Sequence, residues 1–84
     1  MHSNVVTLYS AGTGQHVRLN RIEVQGVLRR RLLDLGFVPG NVIEVLQRSP
    51  LGDPIAFRVN NTTIALRKEE STLMYGELVG SDDQ

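Results

Sequence analysis

The sequence predicts a small β-barrel of five short strands with one α-helix inserted after the first strand. Three observations support this fold class. The chain has only 84 residues and no cysteine, so residues 1–84 are expected to form a single domain without disulfides. Apolar and polar residues alternate in several segments, with the period of half-buried strands. One segment has the period of a helix instead, and short turns separate these segments.

The single predicted helix ends just before Gly36. Its evidence is one apolar stripe with helical spacing, formed by Val24, Leu28, Leu32 and Leu35. The start is left open between residues 23 and 27, because Gly26 weakens the first turn. Gly36 ends the helix, since a residue without Cβ adopts the left-handed conformation easily. Pro39 and Gly40 then form a tight turn.

The five predicted strands are segments in which apolar and polar residues mostly alternate. They cover residues 15–22, 41–48, 55–59, 62–67 and 73–79. Asn60 and Asn61 are expected to form a type I′ hairpin turn, because asparagine tolerates positive φ better than other non-glycine residues. Residues 68–71 predict one helical or 3₁₀ turn, whereas residues 5–11 fit either a short strand or a single helical turn.

The predicted core collects inward-facing apolar residues of the strands and the last three residues of the apolar stripe of the helix. It consists of Val17, Leu19, Leu28, Leu32, Leu35, Ile43, Val45, Ile55, Phe57, Val59, Ile64 and Leu66. Phe37 is also interpreted as a core residue, which fills the end of the barrel below Gly36. The domain core is expected to span residues 7–79, with residues 80–84 as a flexible acidic tail.

Charge is distributed unevenly in a chain whose net charge is zero. Residues 18–31 carry five arginines against one glutamate, a local charge of +4, whereas residues 69–84 carry five acidic residues and no basic one. A basic segment of this kind suits docking on an acidic partner surface. Zero net charge and only four aromatic residues disfavour nucleic-acid binding, which relies on basic surfaces and stacking platforms.

No segment predicts membrane insertion or export. No apolar run approaches the roughly 18 residues that a membrane-spanning helix needs. The N-terminus lacks the basic region and the long apolar segment of a signal peptide. The absence of cysteine suits a reducing compartment. We therefore expect a soluble cytoplasmic protein without direct membrane insertion.

The side chains that could support catalysis or hold a metal form no recognisable site pattern. His2 and His16 are the only histidines, and Glu69 and Glu70 are adjacent but isolated. The glycines are spaced as turns rather than as a phosphate-binding loop. Asp53 is interpreted as a turn residue that hydrogen-bonds to its own backbone. The sequence thus predicts no enzyme, no catalytic residue, no cofactor and no metal site.

Three motifs in a fixed order resemble the FeoA family. They are Leu32-Leu-Asp-Leu-Gly-Phe-Val-Pro-Gly40, then Pro50-Leu-Gly-Asp-Pro54, then Ile64-Ala-Leu-Arg67 followed by Glu69 and Glu70. The resemblance covers residues 7–79. It departs from the usual family pattern at Asn60 and Asn61, where glycine is common, and at Ser71, where alanine is common.

The resemblance implies a fold and a class of function. FeoA proteins are small cytosolic bacterial proteins associated with the ferrous-iron transporter FeoB. Similar domains occur at the C-terminus of iron- and manganese-dependent repressors. The expected fold is an SH3-like (Src-homology-3-like) barrel, and the expected function is accessory or regulatory binding to the cytosolic part of FeoB. The first alternative is a metal-responsive sensor domain like those of the repressors. A nucleic-acid-binding small barrel is a second, less favoured alternative. A weak homo-oligomer is left open.

The predicted partner-binding surface is the polar side of the helix together with one apolar residue. It consists of Arg29, Arg30, Arg31, Leu33 and Asp34. Arg30 and Asp34 have the i, i+4 spacing of a helical ion pair. Leu33 lies off the apolar stripe, so we expect it to be exposed. It would form an apolar centre surrounded by basic residues, which is the usual composition of a protein interface.

The absence of converging imidazole or thiolate ligands leads to a prediction about metals. The isolated chain is expected not to hold ferrous iron or zinc tightly. Isothermal titration calorimetry with either metal should show no stoichiometric binding at micromolar concentration. Stoichiometric binding that disappears in the His16→Ala variant would contradict this expectation.

Overall fold

The structure is a computed structural model that describes residues 5–80. His2 and the predicted tail residues 81–84 lie outside the described residues. The described part of the chain forms six strands and two helices. In chain order these are β1 (Val5–Thr7), β2 (His16–Ile22), α1 (Gly26–Leu35), β3 (Val42–Arg48), β4 (Ile55–Val59), β5 (Thr62–Leu66), α2 (Lys68–Ser71) and β6 (Met74–Val79).

All six strands belong to one antiparallel sheet with the order β1-β6-β2-β3-β4-β5. β1 and β5 are its two edges and do not pair with each other, so hydrogen bonds do not close the sheet within residues 5–80. Register shifts between Leu19 and Arg21 in β2 and between Val45 and Gln47 in β3 mark irregularities that bend the strands. The sheet thus curves around its apolar face.

The five predicted strands correspond to β2–β6, and each observed boundary lies within one residue of the prediction. The sixth strand, β1, was one of the two alternatives for residues 5–11, and the structure shows a short strand over residues 5–7. The predicted turn after residue 67 is the short helix α2. The hairpin between β4 and β5 has the expected positive φ angles, 51° at Asn60 and 65° at Asn61.

Helix α1 follows the first predicted strand, as expected, and begins at Gly26. It ends at Leu35, and Gly36 adopts a left-handed conformation with φ of 115°. Backbone N–H groups of Gly36 and Phe37 donate to the carbonyls of Leu33 and Leu32, at 3.1 and 3.0 Å. These bonds satisfy carbonyl groups that the end of a helix would otherwise leave unpaired.

The core contains nine of the twelve predicted residues, including Phe57 with 0% exposure. Phe37 is also 0% exposed, so its interpretation as a core residue is confirmed. Leu28, Leu35 and Ile64 are only half-buried and pack against the core from one side. The prediction missed five further core residues, which are Leu8, Ala11, Ile22, Val24 and Met74.

Two polar side chains join segments that are distant in the sequence. Arg48 donates to the carbonyl oxygens of Tyr9 and Ala11 and so holds the chain after β1 against β3. Asp53 does not bond to its own turn as predicted. Its Oδ1 accepts a hydrogen bond of 2.8 Å from the backbone N–H of Lys68, which satisfies a free donor at the start of α2.

Gly36 and Gly40 provide a matched test of how α1 is held. Both have positive φ, 115° and 96°, so alanine is strained by about 1–2 kcal/mol at either position. A Cβ at Gly36 would also lie 2.8 Å from Cγ2 of Val59, whereas a Cβ at Gly40 would meet nothing within 4 Å.

We therefore expect Gly36→Ala to lower the free energy of unfolding by about 1–3 kcal/mol more than Gly40→Ala does. Urea denaturation of both variants and the parent chain measures the difference. Equal losses would show that the α1–hairpin contact is not close enough to resist a methyl group.

Candidate functional site

An open surface depression lies on the side of α1 that faces away from β5. It has a volume of about 580 Å³ and is lined by Gly26, Val27, Arg29, Arg30 and Leu33. We call this surface the α1 outer face. Three of its residues, Arg29, Arg30 and Leu33, belong to the predicted partner-binding set.

Val27 is the exposed apolar residue of the α1 outer face. Its side chain is 87% exposed in the first turn of the helix. Leu33, which the sequence predicted to be exposed, is half-buried and packs against the core. The expectation of an exposed Leu33 is not met, because the side chain packs against the core although it lies off the apolar stripe. Val27 lies about 100° around the helix from Leu28, so the same periodicity could have identified it.

Arg29 has a structural role within this surface. Its Nη1 donates a hydrogen bond of 2.7 Å to the backbone carbonyl of Ile22, at the end of β2. The side chain is half-buried and ties the first turns of α1 to the sheet. Arg29 is therefore not a free charge at the rim of an interface, as the sequence predicted.

Arg30, Arg31 and Asp34 are exposed. The predicted ion pair between Arg30 and Asp34 is not formed. In the part of the chain that the structure describes, the ion pairs within 4.0 Å are Arg21–Glu23 at 3.0 Å and Arg58–Glu44 at 3.4 Å. Arg30 and Arg31 therefore present positive charge that no neighbouring carboxylate neutralises.

The basic segment of residues 18–31 does not form one continuous surface. Arg18 and Arg21 lie on β2 and not on α1. The charge of Arg21 is engaged by Glu23 and by the ring of Tyr75, whose centroid is 4.5 Å from the guanidinium carbon. On α1, Arg30 and Arg31 are the arginines that form neither a hydrogen bond nor an ion pair among the described residues.

A second depression, of about 370 Å³, lies between α1 and β5. We call it the α1–β5 groove. The helix contributes Leu28, Leu35 and Arg31 to it, and the sheet contributes Ile64. Arg31 therefore faces a different surface from Arg30, although the two residues are adjacent. Four of the five predicted partner-binding residues are divided between these surfaces, Asp34 lines neither of them, and the five do not form a single cluster.

Within residues 5–80, no three histidine, aspartate or glutamate side chains are grouped so that they could hold a metal ion. His16 is half-buried on β2 and belongs to no such group. Neither α1 nor α2, the helices of the described residues, is long and apolar enough to cross a membrane.

Comparison with known proteins gives consistent matches along the chain. The family model for the FeoA domain matches residues 6–78. A ferrous-iron transport protein A/FeoB fusion protein of Porphyromonas gingivalis is 39% identical over 70 residues, which are 83% of this chain and 8% of that protein. This chain thus spans a small part of that relative.

Two solved structures have the same fold. The solution structure of iron(II) transport protein A from Clostridium thermocellum is 44% identical, with a TM-score of 0.84 over 89% of this chain and 46% of that one. The crystal structure of Stenotrophomonas maltophilia FeoA with zinc, described as a prokaryotic SH3 domain protein, is 26% identical. Its TM-score is 0.72 over 82% of this chain and 86% of that one.

These matches confirm the predicted SH3-like fold class and the predicted resemblance. The six antiparallel strands and inserted helix agree with the SH3-like description, although the sheet of the described residues is open at one seam. The family model covers all of β2–β5, both helices and most of β1 and β6. This chain belongs to the FeoA domain family.

Proposed function

We propose that this chain is an accessory protein of ferrous-iron transport that binds the cytosolic part of FeoB. One observation carries the proposal, which is the relative in which a FeoA-like segment and FeoB form a single polypeptide. A covalent link keeps two modules at an effective concentration of order millimolar. Separate chains that act together need a binding surface instead. The function is binding rather than catalysis, and it is exerted in the cytoplasm.

We infer that the α1 outer face provides this binding surface. Val27 is an apolar side chain that is 87% exposed, and Arg30 is an unpaired cation beside it. An apolar centre with arginine at its edge is the typical composition of a protein interface. The charge of Arg30, which forms no ion pair among the described residues, favours an acidic partner surface.

Arg29 and Leu33 are unsuitable for testing this surface. Arg29 bonds to the carbonyl of Ile22, and Leu33 packs against the core, so changing either residue alters the fold as well as the surface. Val27 and Arg30 avoid this difficulty because both side chains are exposed. Leu51, which is 93% exposed in the turn between β3 and β4, offers a matched apolar control.

The first prediction concerns the apolar centre. Val27→Asp should leave the fold intact, because the side chain is exposed and an acidic residue suits the first turn of a helix. The variant should dissociate about tenfold faster from the cytosolic domain of FeoB, since apolar anchors mainly set the lifetime of a complex. Surface plasmon resonance, with and without ferrous iron and guanine nucleotide, measures this rate.

Leu51→Asp is the control for that experiment and should bind like the parent chain. If Leu51→Asp weakens binding and Val27→Asp does not, the partner contacts the turn at residues 50–54. If neither variant changes the complex, the α1 outer face is not the docking surface.

The second prediction concerns the charges. Replacing Arg30 by glutamate should slow association and weaken its dependence on salt, because charges at an interface edge mainly steer the encounter. Stopped-flow measurements at several salt concentrations give the association rate. Arg18→Glu changes an exposed arginine on β2 and should have a smaller effect. Equal effects of the two changes would mean that only the net charge matters.

A further inference from the structure

The α1–β5 groove contains all three predicted core residues that are only half-buried in the structure. Leu28, Leu35 and Ile64 were predicted as core residues, yet they remain half-buried, and all three line this groove. The sequence therefore places apolar side chains here that the fold of residues 5–80 does not cover. Apolar side chains gathered in one groove are typical of a contact site for another segment.

One wall of the groove is a free strand edge. β5 is the last strand of the sheet. A two-residue hairpin joins β4 to β5, so Val59 and Thr62 close it as a hydrogen-bonded pair. From there, hydrogen-bonded and non-hydrogen-bonded residue pairs alternate along the two strands. Thr63 and Ala65 consequently direct their N–H and C=O groups away from β4. No backbone hydrogen bond outside the β4–β5 ladder uses these groups in the described chain.

The β5 edge lacks the features that usually protect such an edge. The strand Thr62–Leu66 contains neither a charged residue nor a proline, and three of its five residues are β-branched. The opposite edge, β1, has only three residues, and a short strand is itself a form of protection. β5 is therefore the edge that can accept an additional strand.

The charge of the groove indicates what would occupy it. Arg31 lines the groove and has no ion-pair partner among the described residues. Glu70 also lines it, but its Oε1 is hydrogen-bonded to the backbone N–H of Arg67 at 2.8 Å and it forms no ion pair with Arg31, so the guanidinium of Arg31 stays available to another acidic group. A second copy of this chain would bring another Arg31 to the same edge, and like charges oppose strand pairing. An acidic segment complements this site.

We propose that an extended acidic peptide segment of a partner protein adds as a further strand to the free edge of β5. Its backbone bonds to Thr63 and Ala65, and alternate side chains enter the α1–β5 groove. An acidic side chain of the segment lies beside Arg31, and apolar side chains cover Leu28, Leu35 and Ile64. This site is distinct from the α1 outer face and does not depend on the proposed binding to FeoB.

The probe is a synthetic peptide, Thr-Val-Thr-Glu-Thr-Val-Thr, and its control has lysine in place of glutamate. Added to the ¹⁵N-labelled full chain, the glutamate peptide should slow hydrogen exchange at the amides of Thr63 and Ala65. It should bind about fivefold more tightly than the lysine peptide, the ratio expected for one exposed charge contact. Arg31→Glu should reverse this preference, and Arg18→Glu should not.

Ala65→Pro removes one outward N–H without touching the β4–β5 ladder and should weaken binding about tenfold. If that variant does not fold, the reversal by Arg31→Glu still decides the question. Equal binding of both peptides, or amide changes confined to Gly26–Leu35, would overturn the proposal. Protection of Thr63 and Ala65 that rises with protein concentration without peptide would also overturn it, because the occupant would then be a second copy.

Discussion

The left-handed turn at Gly36 determines where α1 lies, and both candidate surfaces depend on that position. The turn approaches the β4–β5 hairpin so closely that an added Cβ would overlap the side chains of Val59 and Asn60. Asn41 fixes the contact, because its Nδ2 donates to the carbonyl of Gly36 at 2.6 Å and to Oδ1 of Asn60 at 3.2 Å. At the other end of the helix, Arg29 bonds to the end of β2. A ten-residue helix without a side-chain cap at its start is thus held at both ends by contacts to the sheet.

The sequence predicted most of the fold because local patterns carry that information. Alternation located β2–β6, and the apolar stripe and Gly36 located α1. The twin asparagines specified the hairpin, since few other residues accept φ of 51° and 65°. Contacts between distant segments left no local pattern. Leu8 and Ala11 are buried because β1 pairs with β6, and Asp53 accepts a hydrogen bond from the start of α2, fifteen residues further along the chain. A three-residue strand is too short for its alternation to be recognised.

The candidate site was predicted less well than the fold. The local charge of residues 18–31 is correct, but a count of arginines gives neither their direction nor their hydrogen bonds. Arg29 bonds to a backbone carbonyl, Arg21 bonds to Glu23, and Arg30 and Arg31 face different surfaces. The exposure of Val27 could have been predicted from its angular position around the helix. The half-burial of Leu33 could not, because it depends on contacts with the core that the helical pattern does not show.

The two surfaces on either side of α1 suit different kinds of contact. The α1 outer face offers an exposed apolar residue beside a cation, which fits a folded acidic surface. The α1–β5 groove offers free backbone groups and fits an extended segment.

The most direct test of the proposed docking surface is hydrogen exchange of the full chain in complex with the cytosolic domain of FeoB. We expect protection over residues 26–33, with residues 50–54 unchanged. Protection confined to residues 50–54, or no complex at all, would contradict it.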